Sequence, residues 1–167
     1  FGDQALCALN GGCWNNAFGS NAGRNITSSF YTVAIGYNAL CTATDGSNET
    51  IAIGFEALRN ANATKSVAVG HRAGECVTSG NFNTIIGACA FTRSCTGATN
   101  IAIGSCAARY AVNPGEIIAI GSNSLMNNTA DCNIAIGNRA LCSNTTGVHN
   151  ISIGIESMRN NIGGQAN

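Results

Sequence analysis

The sequence predicts an all-β chain, a parallel β-solenoid or β-roll of about ten coils of 16–18 residues with two short strands per coil. Three observations carry that reading. A short apolar phrase returns along the chain: TVAIG from Thr32, TIAIG from Thr50, SVAVG from Ser66, NTIIG from Asn83, NIAIG from Asn100 and Asn133, IIAIG from Ile117 and NISIG from Asn150. The glycines that close these phrases, with two earlier ones at the same spacing, are Gly2, Gly19, Gly36, Gly54, Gly70, Gly87, Gly104, Gly121, Gly137 and Gly154, 16 to 18 residues apart. The large aliphatics lie two residues apart, which fits the alternation of a strand and not the period of a helix.

Each coil then reads in order. The phrase is the first strand, and its glycine marks a turn. A second segment follows, in which a small residue (Ala39, Ala57, Ala73, Ala90, Ala107, Ser124, Ala140, Ser157) often precedes leucine. A second turn glycine comes about ten residues after the mark, at Gly12, Gly46, Gly80, Gly97 and Gly147, with Gly115 one place late. A propeller blade or helical hairpin needs about 34 residues or more, so this period fits one solenoid coil. Coils stacked at the strand spacing would build a rod of roughly 45–50 Å. The repeats fill residues 1–167 as a single domain without a linker.

Residues at equal offsets from the mark should stack. Glu56 precedes Arg72 and Arg139 precedes Glu156, so opposite charges meet on neighbouring coils. Tyr37, Phe55 and His71 form a ring column, and Asn83 with Asn100 and Asn133 with Asn150 suit amide ladders.

The middle of the phrase is unusual. A strand with one wet face should carry a polar residue there, yet Ala34, Ala52, Ala68, Ala102, Ala119 and Ala135 occupy it, with Ala17 extending the column. Apolar patterning on both faces marks a doubly buried strand. One coil encloses only one face, so the alanine side is expected to be a self-association face covered by copies of the same chain.

Composition removes several functions. Charged residues make up 10% of the chain and the formal net charge is zero, with Lys65 as the single lysine. Nucleic acid and anionic membranes are captured by clustered Lys and Arg, so neither is an expected partner. No apolar run approaches the ~20 residues of a membrane span. His71 and His149 stand about five coils apart, roughly 24 Å, and Asp3, Asp45 and Asp131 are isolated. No Ser-His-Asp, P-loop or zinc pattern is present, so neither an enzyme nor a cofactor or metal is expected.

Nine cysteines without a C-x-x-C pair favour disulfides in an oxidising compartment. Cys89 and Cys106 share an offset in successive coils, within bridging range although parallel Cβ vectors would strain the bond. Cys76 with Cys95, Cys132 with Cys142, and Cys7 with Cys13 are further candidate pairs, which leaves Cys41 free or bonded between chains. Asn-x-Ser/Thr sequons at Asn25, Asn48, Asn62, Asn127 and Asn144 offer glycan attachment points; Asn150 heads a strand and is not expected to serve.

The phrases TVAIGYNAL (Thr32 to Leu40), TIAIGFEAL (Thr50 to Leu58) and NIAIGNRAL (Asn133 to Leu141) resemble the AIGxxAL repeats of viral and phage tail fibres. They are also similar to the AIG repeats of trimeric autotransporter adhesin heads, the YadA-like head. That resemblance covers nearly the whole chain. It implies a parallel β-roll, three chains about one axis, and a role as a stalk or adhesive shaft.

The expected function is therefore a structural fibre module, extracellular or on a virion or cell surface. It would associate with copies of itself as a lateral trimer or, through open end coils, head to tail, and could adhere to a cell-surface glycan or host receptor through its loops. The alternative is a solenoid that recognises ice or polysaccharide, which requires an exposed Thr or Asn grid.

Overall fold

The computed structural model describes residues 1–44 and 47–167; the isolated Asp45 and the turn glycine Gly46 lie outside the described residues. Among the described residues nine strands of three residues follow one another: β1 (Asn16–Phe18), β2 (Val33–Ile35), β3 (Ile51–Ile53), β4 (Val67–Val69), β5 (Thr84–Ile86), β6 (Ile101–Ile103), β7 (Ile118–Ile120), β8 (Ile134–Ile136) and β9 (Ile151–Ile153). They form one parallel sheet in strict chain order. Middle residues stand opposite one another, Ala34 to Ala52, Ala102 to Ala119, Ala119 to Ala135. The expected β-solenoid is present, about 38 Å long across the sheet at the usual strand spacing. Ten marks yield nine strands because only Phe1 precedes Gly2; its carbonyl accepts a hydrogen bond from Gly19 N–H.

Each coil holds one strand, where the sequence suggested two. After the mark the chain passes through overlapping turns. Ala57 N–H donates to Gly54 O, Arg59 N–H to Glu56 O and Ala61 N–H to Leu58 O. Glu56 and Leu58 have φ of 54° and 46°. A left-handed residue at every second position bends the backbone too often for an extended strand. Coil-to-coil pairing nevertheless continues there, with Leu40 N–H on Ala57 O at 3.1 Å and Leu58 N–H on Ala73 O at 3.0 Å.

The marks require glycine for two reasons. Gly104 has φ +131°, and a Cβ there would stand 2.6 Å from the backbone carbon of Gly121 in the next coil. Handedness and close stacking both exclude a side chain.

The core lies inside the coil, between the strand and the turn run. Ala34, Ala52, Ala68, Ala102, Ala119 and Ala135 are fully buried, and Ala17 nearly so. Facing them are Leu40, Leu58, Phe91, Leu125 and Leu141 from the turn run, all fully buried. At most levels the turn run supplies the large interior residue; where it carries Gly23 or Ala108, the buried large side chains are Ile26 and Ile117. Alanine is the complement. Where β5 instead carries Ile85, the turn run carries Gly74, whose added Cβ would lie 2.8 Å from Ile85 Cδ1 and 2.9 Å from Leu58 Cδ2. Large and small exchange places, and the packing stays dense.

A polar column lines the corner before every strand but β7, where Ile117 is buried instead. Asn100 donates through Nδ2 to Asn83 Oδ1 at 3.1 Å and to Pro114 O at 2.9 Å, while its own Oδ1 accepts Ile117 N–H at 3.0 Å. Asn133, Asn150 and Asn167 repeat the pattern. Side chain and backbone of successive coils thus satisfy one another in a region closed to water.

Candidate functional site

With alanine inside, the outer side of the sheet belongs to the β-branched residues. Val33, Ile51, Val67, Thr84, Ile101, Ile118 and Ile134 form one column of half-buried side chains, and Ile151 at its end is exposed. Ile35, Ile53, Val69, Ile86, Ile103, Ile120, Ile136 and Ile153 form the second; Ile35 is 37% exposed, Ile86 39% and Ile136 36%. The expectation that Ala17, Ala34, Ala52, Ala68, Ala102, Ala119 and Ala135 form the self-association face is therefore corrected. Those methyl groups are kept dry by their own chain, and the aliphatic pair that flanks each alanine faces out.

Aromatic rings border this face. Tyr37 stacks on Phe55 at 5.4 Å and Phe55 on His71 at 5.2 Å, as the shared offset suggests. On the other border Trp14 stacks on Tyr31 at 4.8 Å, and Lys65 Nζ lies 5.7 Å from the centre of the Phe82 ring. The two aliphatic columns stand about 6.8 Å apart over about 38 Å, with rings beside only some coils, and make an apolar strip of a few hundred Å². Monomers seldom expose a contiguous apolar patch larger than that.

The charge columns also form, and they are richer than the offsets alone suggest. Glu56, 7% exposed, receives Arg72 Nε at 3.0 Å and an Arg59 guanidinium nitrogen at 3.1 Å. Glu75 closes the square with Arg59 at 3.3 Å. In later coils Arg139 and Arg159 reach Glu156 at 3.2 and 3.3 Å. Arg59, Glu75 and Arg159 lie three residues beyond the anticipated pairs, a spacing that the turn run brings onto the same corner.

All nine cysteines are free. Thr78 N–H bonds to Cys95 O, so Cys95 lies level with Thr78 and two residues off Cys76. Cys132 and Cys142 fall on opposite sides of the strand segment, one before β8 and one in the turn run after it. Cys7 and Cys13 remain exposed thiols, and Cys41, expected to be free or to bond between chains, is buried at 5% exposure. Cys89 and Cys106 stack in register, also unbridged. Burial, then the Glu75 carboxylate and Cys95, push the Cys76 thiol above its ordinary value of 9.0.

The sequons divide. Asn62 is exposed, and Asn25, Asn48 and Asn127 are half-buried. Asn144 is fully buried and donates to Asn128 Oδ1 at 2.8 Å, so a glycan there is incompatible with the coil. The Thr and Asn column that an ordered-surface binder would expose is interior: Thr32, Thr50, Ser66, Asn83 and Asn100 are all buried. Separate threonines are exposed at the second turn, Thr44, Thr78 and Thr129, with Asn62, Cys95 and Val112 on the coils between them. Their hydroxyls bond along the rod, Thr78 to Cys95 O at 3.0 Å and Thr129 to Thr145 O at 2.7 Å.

Among the described residues no cavity and no cluster of three or more metal-ligating side chains is present. Comparison with known protein families, curated proteins and solved structures finds no match.

Proposed function

We propose that this chain is a structural fibre module, on a virion or cell surface or otherwise extracellular, that associates laterally with copies of itself through the outer face of its sheet. One observation supports the reading above the others: two columns of isoleucine and valine, broken only by Thr84, stand half-exposed along the rod. Burying such a side chain fully contributes about 1.5–3 kcal/mol, so even partial burial repeated over successive coils drives association. The role is mechanical, a stiff shaft whose loops carry any adhesion to glycan or receptor.

Sedimentation velocity at micromolar concentration tests this. The expected species is an oligomer that Ile103→Lys and Ile120→Lys dissociate, while Thr78→Lys on the far turn leaves it assembled. A wild-type chain that sediments as a stable single rod removes the proposal.

The exposed threonines Thr44, Thr78 and Thr129, spaced along one edge of the rod, support one second reading, recognition of ice or an ordered polysaccharide. Thermal hysteresis or glycan binding that Thr78→Val abolishes, while Ile103→Lys does not, would select it.

A further inference from the structure

Two thiols in this rod stand at a separation that suits a different bond from the one first expected. Cys89 and Cys106 occupy the same offset after Gly87 and Gly104, on coils whose strands pair Ile86 with Ile103. Cys106 N–H bonds to Ala88 O and Cys89 N–H to His71 O, so the stacking continues in register past the strand. Their φ values are 55° and 58°, so the two Cα–Cβ bonds point the same way. Parallel vectors leave the Cβ atoms about one strand spacing apart, ~4.8 Å, beyond the roughly 3.5–4.5 Å that a disulfide needs. A metal–thiolate bond is about 2.3 Å, and two in line span about 4.6 Å.

We propose that Cys89 and Cys106 form a two-thiolate site for a soft monovalent cation of the Cu(I) class, held linearly between adjacent coils. Both residues are half-buried and within reach of solvent. On loading, each thiol releases its proton to water and each sulfur forms one bond to the ion. Two thiolates and one monovalent cation leave a single negative charge. Arg109 offsets part of it: its guanidinium approaches Cys106 Sγ at 3.8 Å, and Ser105 Oγ donates to the same sulfur at 3.8 Å. Arg72, one coil before Cys89, is already paired with Glu56 and Glu75. Soft sulfur ligands select Cu(I) over harder ions. The site is complete within one chain and does not depend on lateral assembly.

The test is anaerobic titration of the reduced chain with Cu(I) in competition with bathocuproine disulfonate. One ion per chain should resist the chelator. Cys89→Ser and Cys106→Ser should each weaken retention about 100-fold, since a bidentate site loses its chelate advantage with either ligand. Cys95→Ser should leave retention unchanged. Retention by the Cys89→Ser or Cys106→Ser variant equal to that of the wild type, or an equal loss with Cys95→Ser, overturns the assignment. X-ray absorption on the loaded wild type gives a readout that no variant's folding can disturb. Two sulfurs in line support the site, and three or more sulfurs refute it.

Discussion

Ser94 shows how much a single atom can decide in this interior. Its Oγ is buried without a partner, in the interior column that Val77 and Ala111 occupy on the coils either side. A hydroxyl shut away from water without a hydrogen bond costs about 1–3 kcal/mol. Ser94→Ala is therefore expected to raise the urea midpoint, by about 1 kcal/mol of stability. Asn100 is the opposite case. It links Asn83, Pro114 and Ile117, so Asn100→Ala strands buried groups on two sides and should cost about 3 kcal/mol in the same measurement. Cys76 adds a pH dependence. Its thiol titrates higher in the folded chain than in the unfolded one, so its contribution is complete below pH 9.0 and declines as pH rises through that value. Thermal melts above pH 9.0 should fall more steeply for the wild type than for Cys76→Ser. These residue-level facts were only partly legible beforehand. The asparagine pairs could be read from equal offsets, whereas the burial of Asn144 and Cys41 depends on which way a left-handed turn residue directs its neighbours.

At the scale of the element, the strand was readable and the segment after it was not. Alternating isoleucines identify β6 and β7 without ambiguity, and the glycine marks set their register. The run from Gly54 to Ala61 has no proline and no Asn-Gly signal, and its positive φ values fall on Glu56 and Leu58, types that seldom adopt them. The coil closes there because stacked neighbours impose the conformation. The direction of alanine was misjudged for a related reason: alternation shows that two faces exist, and only the packing against the turn run shows which is inside. That packing makes a sharp prediction. Gly74→Leu should destabilise by about 1–3 kcal/mol through overpacking. Gly74→Leu with Ile85→Ala should recover most of it, because the pair then repeats the arrangement of Leu58 and its neighbouring alanines. A double-mutant cycle by chemical denaturation measures the coupling.

For the whole molecule, the solenoid followed from the period alone, and the disulfide framework did not survive. Spacing in a sequence places two cysteines near one another along the rod, but bond formation depends on the direction of each Cβ. Melting curves with and without a reductant should superimpose, and a large downward shift on reduction would show that bridges form after all. Cohesion comes instead from the ladder of coil-to-coil hydrogen bonds, the buried amides and the interior columns. The charge square of Glu56, Arg59, Arg72 and Glu75 lies across two coils and discourages slippage between them. Its two arginines remain partly exposed although the carboxylates are largely covered, so it contributes less to stability than to alignment.

The amide hydrogen bonds of one level end on the next, and among the described residues none reaches across two. Length is consequently a free parameter of the design. Excising residues 104–120, a complete period, would rejoin Ile103 to Gly121 with each neighbour still finding its like, giving a shorter shaft of unchanged cross-section. Removing five residues more or fewer would set leucine against leucine and asparagine against solvent. Such a chain can change its reach by gain or loss of a unit far more readily than it can tolerate a small insertion, as a ladder accepts another rung but not half of one.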